Sequence, residues 1–192
     1  WMSVALWREV AGEIGRRLAE LDPTHAPEYA GATERLQARL DDLHDYGVEI
    51  IACVPEQQRV LVTSHDAFRY FGEAYGIEVQ AVQGISTESE AGLSRINALV
   101  DLLVDRRIGS VFVESSVSRA SVEALVRGAA ARGHTVEIAG SLFSDAMGSE
   151  GTYEGTYVGM MDHNLTTIAR ALGCSSVPER GFREREGTTS ND

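Results

Sequence analysis

Three short apolar runs in this chain end in side chains that can bind a cation or move a proton. Val60-Leu61-Val62 leads into Thr63-Ser64-His65-Asp66, and Ser110-Val111-Phe112-Val113 leads into Glu114-Ser115-Ser116. Thr135 to Ile138 leads into a stretch from Gly140 that closes on Leu142-Phe143-Ser144-Asp145. A histidine with carboxylates makes either a metal site or an acid–base pair, and the mixture suits zinc, manganese or iron. Each residue also has a plainer reading. His65 can be a satisfied structural histidine, Glu114 can cap the next helix beside Ser116 or Ser118, and Asp145 can be the N-cap of a short turn. The residues alone leave these alternatives open.

Other chemistry finds less support. His25 sits in a Pro-Thr-His-Ala-Pro break, His44 beside a helical stripe, His134 in a turn and His163 in a helix, and all four read as surface or packing residues. Ser115 and Ser116 lack the G-x-S-x-G elbow of a nucleophile. Neither G-x-G-x-x-G nor G-x-x-x-x-G-K-[ST] occurs, so no phosphate cradle is signalled. Gly148 to Gly155 is rich in glycine but acidic, and reads as a flexible loop just past Asp145.

The elements that must position these residues follow from periodicity. Trp7, Val10, Ile14, Leu18 and Leu21 mark a helix over residues 3–21, broken by Asp22-Pro23-Thr24. A longer pattern runs from about Glu28 to Val54 and stops at Pro55, which cannot continue a helix. Beyond it, strands at Val60–Val62, Glu78–Val82, Ser110–Val113 and Thr135–Ile138 alternate with helices. The helices are expected over Ala67–Tyr75, Ser89–Arg106, Ser118–Arg132 and Thr156–Leu172, and Thr87 with Glu90 reads as a capping box for the second. Such alternation means βαβ units and a parallel sheet. The expected fold is α/β, a three-layer lobe with a four-stranded parallel sheet, preceded by two long helices. Residues 1–54 form the helical region, 55–174 the lobe and 175–192 a polar tail expected to be loosely ordered. Ligands in such sheets bind beyond the carboxyl ends of the strands, where His65, Glu114 and Asp145 all fall.

Composition sets the outer bounds. A formal net charge of −12 over 192 residues argues against a nucleic-acid partner. No apolar stretch approaches the roughly 20 residues of a membrane span. Cys53 and Cys174 are too far apart for a C-x-x-C motif and can either pair or remain separate thiols.

Four stretches taken together carry a resemblance: RVLVTSHDAFRYFGEAYGIEV, SVFVESSVSR, LFSDAMG and TYVGMMDHNL. Over roughly residues 1–173 the chain resembles the C-terminal lobe of the periplasmic solute-binding proteins of zinc and manganese ABC importers (cluster A-I type). The resemblance implies two α/β lobes joined by a long helix, with the metal held between them by four side chains. His65 and Asp145 match two of these ligands. The other two are histidines of the N-terminal lobe and linker, the second within Asp-Pro-His-x-Trp. Trp1 matches the tryptophan of that motif, so the N-terminal lobe is expected to be absent from this chain. Residues 3–21 are then expected around the linker, and 28–54 on the C-terminal lobe. Three imidazoles and one carboxylate favour zinc, with manganese as the alternative. Asp66, Glu114 and Ser115 are candidates for orienting the ligands. The implied partners are an ABC importer permease, the N-terminal lobe of the same protein and a metallochaperone. The implied location is periplasmic or extracellular, with membrane association through the transporter. A metal-dependent hydrolase or lyase using His65 and nearby carboxylates is the alternative, and a lobe serving only as a docking surface is a third reading.

Overall fold

Helix α1 (Val4–Leu21) starts where the Ser3 hydroxyl accepts a hydrogen bond from the Leu6 N–H, and ends before Pro23. A single 3₁₀ turn at Pro23–His25 reverses the chain into α2 (Ala26–Ala52). The two helices run antiparallel. Arg8 pairs with Asp41 at one end, and Gly15 meets Thr33 near the other. Only the second half of α2 enters the core, through Leu40, Leu43, Tyr46, Gly47, Ile50 and Ile51. The stripe that defines α1 is otherwise uncovered: Leu6, Val10, Ile14, Leu18 and Leu21 are all exposed.

The computed structural model describes residues 1–84, 92–115 and 118–189. The expected capping box at Thr87 and Glu90 lies outside these residues, and so does Ser116. After a 3₁₀ turn, the lobe runs β1 (Val60–Thr63), α3 (Arg69–Tyr75), β2 (Glu78–Ala81), α4 (Leu93–Asp105) and β3 (Ser110–Glu114). It continues through α5 (Ala120–Ala130), β4 (Glu137–Leu142), α6 (Tyr157–Ala171) and α7 (Phe182–Thr189).

The strands form two parallel pairs. β1 pairs with β2 in the register Val60↔Glu78 to Thr63↔Ala81, and β3 pairs with β4 from Ser110↔Glu137 to Glu114↔Leu142. β1 lies beside β3, giving the spatial order β2-β1-β3-β4. Among the described residues no ladder joins the two pairs, so the expected four-stranded sheet is present as two half-sheets side by side. Burial fits this order, because β1 and β3 are buried throughout while β2 and β4 are partly open. Alternating residues serve two cores. Leu61 and Phe112 face α2, α3 and α6, whereas Val60, Val62, Val111 and Val113 face α4 and α5. That is the three-layer arrangement.

Two local expectations differ. β4 begins and ends later than Thr135–Ile138 and takes in Gly140-Ser141-Leu142. These residues have poor strand propensity, but pairing with β3 and close packing of Gly140 on Thr167 hold them extended. The polar tail, expected to be loosely ordered, carries α7, and its Phe182 is fully buried against Tyr46. Cys53, at the end of α2, and Cys174, just past α6, form a disulfide with Cα atoms 5.3 Å apart.

Candidate metal centre

The order β2-β1-β3-β4 reverses direction between β1 and β3, and an α/β sheet opens a crevice where its connections diverge. His65 leaves the end of β1 there, and Glu114 is the last residue of β3. The two are locked together. The Glu114 carboxylate accepts the His65 backbone N–H through Oε1 at 2.8 Å, and its Oε2 contacts His65 Nδ1. Both side chains are buried. The Thr63 hydroxyl also donates to the His65 carbonyl, at 3.0 Å.

A carboxylate facing Nδ1 favours a proton on that nitrogen, which would leave Nε2 free to ligate. Nε2 points outward and lies 3.3 Å from Asp145 Oδ2. The Asp145 side chain is half-exposed. Together with Trp1, Met2, Ala67 and Tyr70, His65 and Asp145 line an open cleft of about 430 Å³.

Asp145 is placed by the segment that precedes it. Asn164, fully buried on α6, accepts the Phe143 N–H at 2.9 Å and donates to the Phe143 carbonyl at 2.7 Å. The Ser144 carbonyl accepts the Trp1 indole N–H at 2.9 Å. The Ser144 hydroxyl hydrogen-bonds the Glu114 carboxylate. The glycine-rich stretch that follows packs closely on itself and on α6. The Tyr153 carbonyl rests against Gly159, where a Cβ would approach it to 1.8 Å. The Gly148 N–H also donates to the Glu154 carbonyl at 2.7 Å.

Burial is the main influence on Glu114 and raises its pKa above the ordinary 4.5. The His65 N–H and the Ser144 hydroxyl oppose that shift, and the Asp145 charge adds to it. The other residues picked out in the sequence lie less centrally. Asp66 turns to Arg69. Ser115 is exposed, with its N–H continuing the pairing to Leu142. His25 pairs with Asp22, His44 packs on Tyr75, and His134 and His163 meet the carbonyls of Ile108 and Ser141. Asn164 and Ser144 were not singled out. The available signal was a polar Asn164 inside the apolar stripe of Met160, Met161, Leu165 and Ile168.

Among the described residues, no group of three or more His, Cys, Asp or Glu side chains gathers to hold a metal. What the chain presents at the cleft is one imidazole nitrogen and one carboxylate oxygen, with Glu114 buried behind His65.

Glu114→Gln tests that orientation. A glutamine that keeps the His65 N–H turns its amide toward Nδ1 and favours the tautomer with Nε2 protonated. Zinc affinity of the full-length protein is expected to fall by about 10–100-fold, read by titration. The pH dependence has a definite sign. A carboxyl whose folded pKa is raised keeps its proton longer folded than unfolded, so its contribution to stability falls as pH rises from 4.5 through the raised value. The stability difference, Gln variant minus wild type, is expected to grow with pH across that window in urea unfolding.

Fold and site together define an α/β lobe whose His65–Asp145 pair sits at the crevice of a parallel sheet. Residues 1–171 match the family described as ZnuA, zinc-uptake complex component A periplasmic, and the chain belongs to that family. The manganese-binding lipoprotein MntA of Bacillus subtilis (strain 168) is 48% identical over 172 residues, covering 90% of this chain and 56% of that protein. The zinc-binding protein TroA of Treponema pallidum (strain Nichols) is 44% identical over the same shares. A solved structure of the periplasmic zinc-binding protein TroA from Treponema pallidum superposes with a TM-score of 0.85, covering 90% of this chain and 62% of that one. The chain thus spans little more than half the length of the curated relatives it matches.

Proposed function

We propose that this chain is the C-terminal part of a protein that captures a divalent transition metal outside the cytoplasmic membrane and hands it to an ABC importer permease, without turnover. The observation that carries the reading is the His65 Nε2 and Asp145 Oδ2 pair, 3.3 Å apart at the mouth of an open cleft. In this reading both are ligands, and Glu114 fixes the tautomer and orientation of His65. Two further histidines come from an N-terminal lobe. The uncovered Leu6, Val10, Ile14 and Leu18 stripe of α1 supports such a lobe, since a face of that size wants a cover. Three imidazoles and one carboxylate favour zinc over manganese. The family description names zinc, while the relatives are named for one metal or the other. No helix among the described residues is long and apolar enough to cross a membrane. Membrane association in this reading runs through the transporter. A metallochaperone that loads the site is a further proposed partner.

Calorimetric zinc titration of the full-length protein and of this chain tests the proposal. Loss of an outer partner alone costs such sites about 10–100-fold, so loss of two ligands is expected to weaken binding by more than about 100-fold. Equal affinity of chain and parent would mean that the site is complete without a second lobe, and the proposal would fail.

A further inference from the structure

The family match ends at residue 171, yet the chain continues as a segment packed onto the lobe. Arg170 donates to the carbonyls of Pro178 and Glu179, at 2.5 and 2.9 Å. The segment then reaches Asp162, a buried carboxylate on α6. The Phe182 N–H donates to Asp162 Oδ1 at 2.8 Å, and the Thr166 hydroxyl to the same oxygen at 3.0 Å. Gly181 makes this approach possible: its φ is +62°, and a Cβ there would come within 2.5 Å of Asp162 Oδ1.

The other oxygen of Asp162 holds a different part of the chain. Oδ2 accepts the Tyr153 hydroxyl at 3.0 Å, and Tyr153 lies in the segment that starts at Asp145. The Arg183 guanidinium of the tail covers the Tyr153 ring from the other side, 3.5 Å from its centroid. One buried carboxylate therefore grips the tail with one oxygen and the Asp145 segment with the other, and the tail reaches back over the same tyrosine.

We infer that Tyr153, Asp162 and Arg183 are positioning residues through which the C-terminal tail holds the Asp145 segment in its binding conformation and slows release of the metal. The inference rests on the proposed role of Asp145 as a ligand. A segment held before binding has less order to gain on binding. A segment released from its anchors opens more often, and the change appears chiefly in the off-rate.

Zinc release from the loaded full-length protein into excess chelator, followed by stopped flow, tests the inference. Tyr153→Phe removes the hydroxyl that bonds Asp162, and Arg183→Ala removes the guanidinium over the ring. Each is expected to speed release about fivefold, the scale of one net hydrogen bond or one cation–π contact. Arg185→Ala, which cuts the tail's contact to Glu49 on α2 instead, is expected to release zinc at the wild-type rate. In an Asp145→Ala background, Tyr153→Phe is expected to add nothing, because its effect passes through Asp145. Release within twofold of wild type for both Tyr153→Phe and Arg183→Ala overturns the inference. So does an equal acceleration by Arg185→Ala, or a Tyr153→Phe effect that persists without Asp145. If Asp145→Ala itself leaves release unchanged, the ligand assignment has failed and the inference falls with it.

Discussion

His65→Ala in the full-length protein is expected to weaken zinc binding by well over the about 100-fold that loss of an outer partner costs. Two losses combine. The nitrogen that faces Asp145 disappears, which would leave the proposed four-ligand site with three for an ion that prefers four in a closed arrangement. The carboxylate of Glu114 also keeps its place at the end of β3 with nothing at Oε2, since that oxygen faces His65 Nδ1 and the side chain is buried. A buried carboxylate without its partner takes up a proton or draws in water. The variant should therefore keep its fold, lose its metal and not recover binding at higher pH. Calorimetry with zinc, alongside Asp145→Ala, checks this. Affinity within a factor of ten of wild type would return His65 to the role of a structural histidine.

Removing the disulfide is expected to have the largest effect on stability. Cys53 and Cys174 are 121 residues apart in sequence, so the bridge closes nearly the whole lobe into one loop. On the chain-entropy account, a loop of that size is worth about 4–5 kcal/mol, a large share of the about 5–15 kcal/mol that a domain commonly has. The double variant Cys53→Ser/Cys174→Ser should lower the urea midpoint accordingly, and dithiothreitol should do the same to the wild type. A shift under about 1 kcal/mol would show that the unfolded chain is already constrained in other ways.

Much of this was legible in the sequence. The helical periods of α1 and α2 and the stop at Pro55 were enough to place both long helices within a few residues. The position of His65 and Asp145 just past strands was enough to bring them to one edge. Less legible were features that only tertiary contact decides. β4 runs through Gly140-Ser141 because β3 pairs with it and α6 packs on it. The tail reads as polar, and one buried Phe182 among its charges was too small a signal to set against that composition. Pairing of the cysteines was undecidable, because sequence distance says nothing about the 5.3 Å that separates their Cα atoms. The α1 stripe was read correctly as a helix signature, but periodicity reports that a face is apolar and not what covers it.

The seam between the two half-sheets has a mechanical consequence. His65 is carried by the β1–β2 half and Asp145 by the β3–β4 half, and no backbone ladder stitches the halves together among the described residues. An ion held by both side chains would act as a rivet across that seam. Cargo and framework would then be coupled in both directions: loading stiffens the lobe, and any partner that prises the halves apart loosens its grip on the ion.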